Sequence, residues 1–147
     1  MATTFKWVAG ESAATALSTE LDGLASAAFS AASAAIDNTV GLYRWMDIEL
    51  NLASFTPGAG SPYCAAWINY SLDGTNYEKI PDGSSGDKPP ETIFPLEASV
   101  AQASRIVIAN IPNPPLKFKL VLQNVSGAAL AASGNTLKYS RHYEQSV

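Results

Sequence analysis

Two stretches of strict alternation constrain the fold more than anything else in this chain. In one, Met46, Ile48, Leu50 and Leu52 alternate with Asp47, Glu49 and Asn51; in the other, Phe118, Leu120 and Leu122 are set against Lys117, Lys119 and Gln123. Successive side chains of a strand point to opposite faces, so period two puts the apolar set on a core and the polar set in water. Further strand-like runs lie at Tyr63–Leu72, Tyr77–Ile80, Ile93–Leu96, Ser104–Ile111 and Asn135–Tyr143. Turn signals separate them: Thr56–Pro62, Asp73-Gly74, Pro81–Pro90 and Pro112–Pro115. Short strands at close spacing predict an all-β sandwich or barrel. Its inward positions are Met46, Ile48, Leu50, Leu52, Ile68, Tyr70, Ile106, Ile108, Phe118, Leu120, Leu122, Leu137 and Tyr139.

Two segments fall outside this pattern. Residues 1–16 read as an N-terminal arm or first edge strand, with Phe5 and Trp7 as anchors, leaving 17–147 as the sandwich domain. Such an arm is a candidate for pairing with a sheet edge on another chain, unless Trp7 simply begins the first strand of its own sandwich. Ala25–Ile36 mixes Ala and Ser around one Phe, without an apolar stripe. It reads as extended structure with small side chains; a short helix is the alternative, since Ala is the best helix former.

Charged residues make up 15% of the 147 positions, against roughly 25% in average soluble domains. The surface is then polar but neutral, or covered by a partner. A net charge of −4, with nine Lys and Arg scattered along the chain, argues against nucleic acid and anionic membranes. No run of apolar residues is long enough to span a bilayer as a helix. The N-terminus has no continuous apolar core of a signal peptide, which predicts synthesis and retention in a reducing cytoplasm. The single cysteine, Cys64, forms no internal disulfide and reads as a small buried hydrophobe.

Candidate chemistry is sparse, and no enzyme activity, metal or cofactor is expected. His142 has no second histidine or cysteine near it in sequence for a zinc site, and no Gly-x-Ser-x-Gly motif offers it a nucleophile. It reads as a strand-end or interface residue. Asp47 and Glu49 share the wet face of one strand, whereas glycosidase carboxylates flank their substrate from separate elements. Asp73, Asp82 and Asp87 lack the spacing of a calcium loop. The aromatic residues are more suggestive. Trp7, Trp45 and Trp67, with Tyr43 and Tyr63, would make a protein interface or sugar platform, or else a second layer of core.

Several ordered segments together resemble small structural proteins of tailed bacteriophages, the capsid decoration or cement proteins. They are Ala35–Thr39 with Leu42-Tyr43, Ser71–Tyr77 with Asp82–Ser85, and most of all Arg105–Val107, Ile111–Pro115, Lys117–Leu120 and Ala131–Leu137. The resemblance implies a single-domain, jelly-roll-like antiparallel β-sandwich on the outer surface of a phage head. Its partners would be the major capsid protein, between whose capsomers it sits, and itself as a dimer or trimer. Neither nucleic acid nor membrane is implied. The alternative is a carbohydrate- or receptor-binding module of a phage tail or secreted protein.

Overall fold

The structure is a computed structural model that describes residues 5–8, 10–84 and 86–146. Its strands are β1 (Phe5–Val8), β2 (Ala14–Leu17), β3 (Ile36–Asp37), β4 (Trp45–Phe55), β5 (Tyr63–Ser71), β6 (Thr92–Pro95), β7 (Gln102–Pro112), β8 (Lys117–Val125) and β9 (Thr136–Ser146). β1 and β2 follow one another along β9, in a sheet ordered β1/β2, β9, β4, β7. The second sheet is ordered β3, β8, β5, β6, and every pairing is antiparallel. Apart from the β1–β2 and β5–β6 links, each connection crosses from one sheet to the other. That alternation is the jelly-roll connectivity of two Greek keys wrapped over one core.

The core sits where the two alternating strands face each other. Met46, Ile48, Leu50 and Leu52 of β4 are buried and share one cluster with Phe118, Leu120 and Leu122 of β8. Asp47, Glu49 and Asn51 lie on the outer face of β4, only half-buried. Ile68 and Leu137 are buried in the same cluster; Tyr70, Ile106, Ile108 and Tyr139 pack at its margin. Leu17, Leu21, Phe94 and Leu130 complete it from a four-residue strand, a 3-10 turn, an edge strand and a loop. β5 is apolar almost without interruption because both of its faces are covered. Cys64, Ala66 and Ile68 enter the main core, while Ala65 and Trp67 point the other way into a second cluster with Val121.

Cys64 is fully buried, and burial pushes its thiol up to about 12. It is expected to resist a maleimide in the native protein and to label at the rate of a free cysteine once denaturant is added. Rapid labelling without denaturant would contradict the burial.

No helix forms in Ala25–Ile36, but only part of it runs alongside a strand: Ala28 donates its N–H to the Ala25 carbonyl in a turn where Ala27 takes a φ of +66°, and the rest follows β8 in an irregular pairing. Ser30 and Ser33 donate their backbone N–H groups to the Leu122 and Leu120 carbonyls of β8. In return the Leu122 and Leu120 N–H groups donate to the hydroxyls of Ser30 and Ser33, at 3.0 and 2.9 Å. Ile36 then pairs with Phe118. Three residues of this segment therefore advance along two of β8, and a hydroxyl stands in for each carbonyl that the mismatch turns away. Ser and Ala suit that path because hydroxyls are needed at every third position and bulk is unwanted between them.

The segment Tyr77–Ile80, expected to be a strand, is not one. Glu78 donates its backbone N–H to the Tyr70 carbonyl, but the neighbouring links are made by side chains. The Asn69 carboxamide donates to the Lys79 carbonyl, and the Tyr70 N–H donates to the Glu78 carboxylate.

The backbone of Phe5 and Trp7 runs in β1, antiparallel to Ser146 and Glu144 of the chain's own β9; their side chains lie outside the described residues. Between β1 and β2 the chain presses against β9. A Cβ on Gly10 would stand 1.5 Å from the Arg141 carbonyl oxygen, so only glycine fits there.

Candidate functional site

At one end of the sandwich the chain gathers exposed apolar side chains. Val40 and Leu42 come from the loop between β3 and β4, and Leu72 from the turn after β5; they are 86%, 60% and 90% exposed. Leu42, Arg44, Tyr70, Glu91 and Ile111–Pro115 line an open cleft of about 770 Å³. A second cleft of about 490 Å³ runs over Leu72, Tyr77, Glu78 and Leu116 and shares Tyr70 with the first.

Asn38 holds this end together. It is fully buried, and its amide nitrogen donates to the carbonyls of Tyr43, Asn113 and Pro114, at 2.8, 3.2 and 2.9 Å. Its side-chain oxygen accepts from the Tyr43 N–H at 3.0 Å. One side chain thus ties the β3–β4 loop to the proline-rich β7–β8 loop. The neighbourhood is strained. Leu42 has a φ of +50°, a left-handed conformation that costs a residue with a Cβ about 1–2 kcal/mol. The Asn113 carboxamide and the Trp45 Nε1 are buried without a hydrogen-bond partner. Such strain and unpaired polar groups concentrate at binding surfaces.

Tyr70 divides the two clefts. Burial, reinforced by the Glu91 and Glu78 carboxylates, pushes its phenol up to about 12. It is neutral at physiological pH and offers a ring and a hydrogen-bond donor to whatever occupies the clefts. The Lys88 ammonium lies 5.2 Å from the ring centroid and donates to the Glu78 carboxylate at 2.8 Å.

Among the described aromatic residues predicted to form a contact surface, Tyr43 and Trp45 lie apart from Tyr63 and Trp67. Tyr43 and Trp45 are half-buried near the apolar end, with Tyr143 6.0 Å from Tyr43 and the Arg44 guanidinium 5.5 Å from the Trp45 ring. Tyr63 and Trp67 belong instead to the outer face of β5. Trp67 is not a surface residue: it is 5% exposed, packed against Phe29 with the rings tilted by 57°, and donates its indole N–H to the Lys88 carbonyl at 2.8 Å. The Ala/Ser-rich segment carries Phe29 over it, and so covers what the sequence leaves open. Tyr63 packs at the edge of the same cluster.

The acidic and histidine candidates are engaged in structural contacts. Asp73 accepts from the Thr75 and Asn76 N–H groups, and the Asn76 contact is the chief reason its carboxyl is held well below the usual range. Hydrogen bonds from Ser84 chiefly lower Asp82, to about 2, while Lys79 chiefly lowers Asp87. These acids already serve loop N–H groups and an ammonium, and among the described residues no three metal-ligating side chains converge. The His142 ring lies between Asp47, 3.6 Å from its Nδ1, and the Asn110 side-chain oxygen, 3.2 Å from its Nε2. The nearby Ser140 hydroxyl donates to the Glu11 carbonyl rather than to the ring. Asp47 also accepts the Asn110 N–H at 2.8 Å, pinning a bulge where Asn110 takes a φ of +60°.

Val40, Leu42 and Leu72 escape a pattern-based reading because they interrupt polar turns and follow no period. The available signal is the cost of exposing a large aliphatic residue beside Gly41 or Asp73-Gly74. No family model matches the chain, and the searches of curated proteins and of solved structures return no match either.

Proposed function

We propose that this chain is a non-enzymatic structural protein of a tailed-phage virion that attaches to the outer surface of the head. In this reading the apolar end docks onto the major capsid protein and stabilises the shell. The observation that carries the proposal is the trio Val40, Leu42 and Leu72, each more than half exposed and gathered at one end of the sandwich. Large exposed aliphatic groups beside an apolar cleft favour a protein partner over water. Many weak contacts repeated over a closed lattice reinforce one another as multivalent binding does.

The test is co-sedimentation with shells that lack the protein. Wild type is expected to pellet with shells and to raise the temperature at which they release their genome. Leu42→Asp and Leu72→Asp, both at exposed positions, should fold normally and lose attachment. Equal genome retention by bare and decorated particles would overturn the stabilising role.

The cleft around Tyr70 favours one second reading. An aromatic ring flanked by Arg44 and Glu91 also suits a sugar, as in a carbohydrate- or receptor-binding module. Glycan binding by the isolated chain, abolished by Tyr70→Ala, would favour that module.

A further inference from the structure

The outer edge of β7 differs from every other sheet edge among the described residues. β6 has four residues and ends on Pro95; β3 has two residues and is extended by the serine-bonded segment. The β1/β2 edge breaks between Val8 and Ala14. Short strands, prolines and interruptions are how sheets avoid pairing with other chains. β7 has none of these along its middle. It is 11 residues long, pairs only with β4, and keeps an unbroken register from Ser104 to Ile108. Among the described residues no strand covers its other side. Its backbone N–H and C=O groups there call for one kind of occupant, another strand.

The residues along this edge indicate which strand. Between Glu97 and Lys117 the only charged residue is Arg105, and it is turned onto the sheet's outer face by an ion pair with Glu49 at 2.7 Å. No lysine guards the edge. Val107 is 54% exposed in its centre, and Ile106-Val107-Ile108 reads the same in both directions. Antiparallel pairing with a second copy, centred on Val107, sets Val107 against itself and Ile106 against Ile108. It also sets Arg105 against Ala109 and Ser104 against Asn110. Each pair matches in polarity or sets a small residue against a large one, and no like charges meet. Moving the centre to Arg105 would oppose two guanidinium groups, which disfavours that register.

We propose that two copies of this chain associate through β7, edge to edge and antiparallel about a two-fold axis at Val107, joining their β4-containing sheets into one. The association needs neither the apolar end nor a shell, so it stands or falls separately from the attachment proposed above.

The test uses the full chain in solution. Light scattering is expected to give twice the 15.4 kDa chain mass. Val107→Cys should form a disulfide-linked dimer under mild oxidation, because directly opposed residues have Cα atoms about 4.5–5.5 Å apart, within the span a disulfide bridges. Arg105→Cys, opposed to Ala109, should not. Cys64 is buried and does not compete. Val107→Lys should raise the dimer dissociation constant roughly tenfold or more by opposing two ammonium groups, while circular dichroism shows the sandwich intact. A monomeric wild type would overturn the proposal and leave the edge to a different protein. So would a dimer that Val107→Lys does not weaken, or one that Val107→Cys does not cross-link.

Discussion

Leu120→Ala is expected to lower the unfolding free energy by about 2–5 kcal/mol, read as a fall in urea midpoint at unchanged slope. Leu120 is fully buried in the middle of β8, paired with Ile68 of β5 and facing the apolar side of β4. Truncation removes three carbon atoms from a site whose walls belong to both sheets, so neither can close in without disturbing the other. Its backbone is held as well, by the Ser33 hydroxyl at 2.9 Å. That bond limits relaxation and favours the upper part of the range. Lys119→Ala, on the other face of the same strand, should stay within about 0.5 kcal/mol as surface changes usually do. A cost within error at Leu120 would mean that the two faces of β8 are exchanged.

The second large effect is expected at Arg141, which is 6% exposed. Its guanidinium donates to both oxygens of Glu11, at 2.8 and 2.5 Å, and to the Asp37 carbonyl at 2.6 Å. It also lies 5.0 Å from the Tyr43 ring centroid. One side chain on β9 therefore holds the β1–β2 connection, the end of β3 in the opposite sheet, and an aromatic residue beside the apolar end. Arg141→Met is expected to cost about 3 kcal/mol, the lower part of the range for breaking a buried pair, because Glu11 is itself 34% exposed. Arg141→Lys should restore little, since an ammonium cannot serve two carboxylate oxygens and a distant carbonyl together. A double-mutant cycle with Glu11→Gln isolates the pair and is expected to show strong coupling. Additive losses would assign the effect of Arg141 to its other contacts.

What could be read from the residues alone follows from how periodic each element is. β4 and β8 are long, half-wet strands, so alternation names their inward side chains correctly down to Leu52 and Leu122. β5 is covered on both faces and shows only a continuous apolar run, which does not say which residue faces which cluster. For that reason the sequence alone groups Trp67 with the contact residues. What buries it is Phe29, nearly forty positions earlier in a segment whose own period is three. The apolar end was the hardest feature to see. It depends on Asn38 joining two loops 75 residues apart, and no local pattern encodes that contact.

The serine-bonded segment beside β8 has a consequence for assembly. By engaging the β8 backbone with hydroxyls, residues 27–36 give the second sheet a boundary that offers an incoming strand no regular ladder. With that side irregular, and the remaining ones short or interrupted, the described residues have an edge valency of one. A pair formed through β7 is complete, because among the described residues neither member has a second long regular edge to extend the sheet. Two open edges would allow indefinite growth into fibres. A chain as poor in charge as this one has little electrostatic repulsion to prevent such growth, and Ser30 and Ser33 supply a stereochemical limit instead.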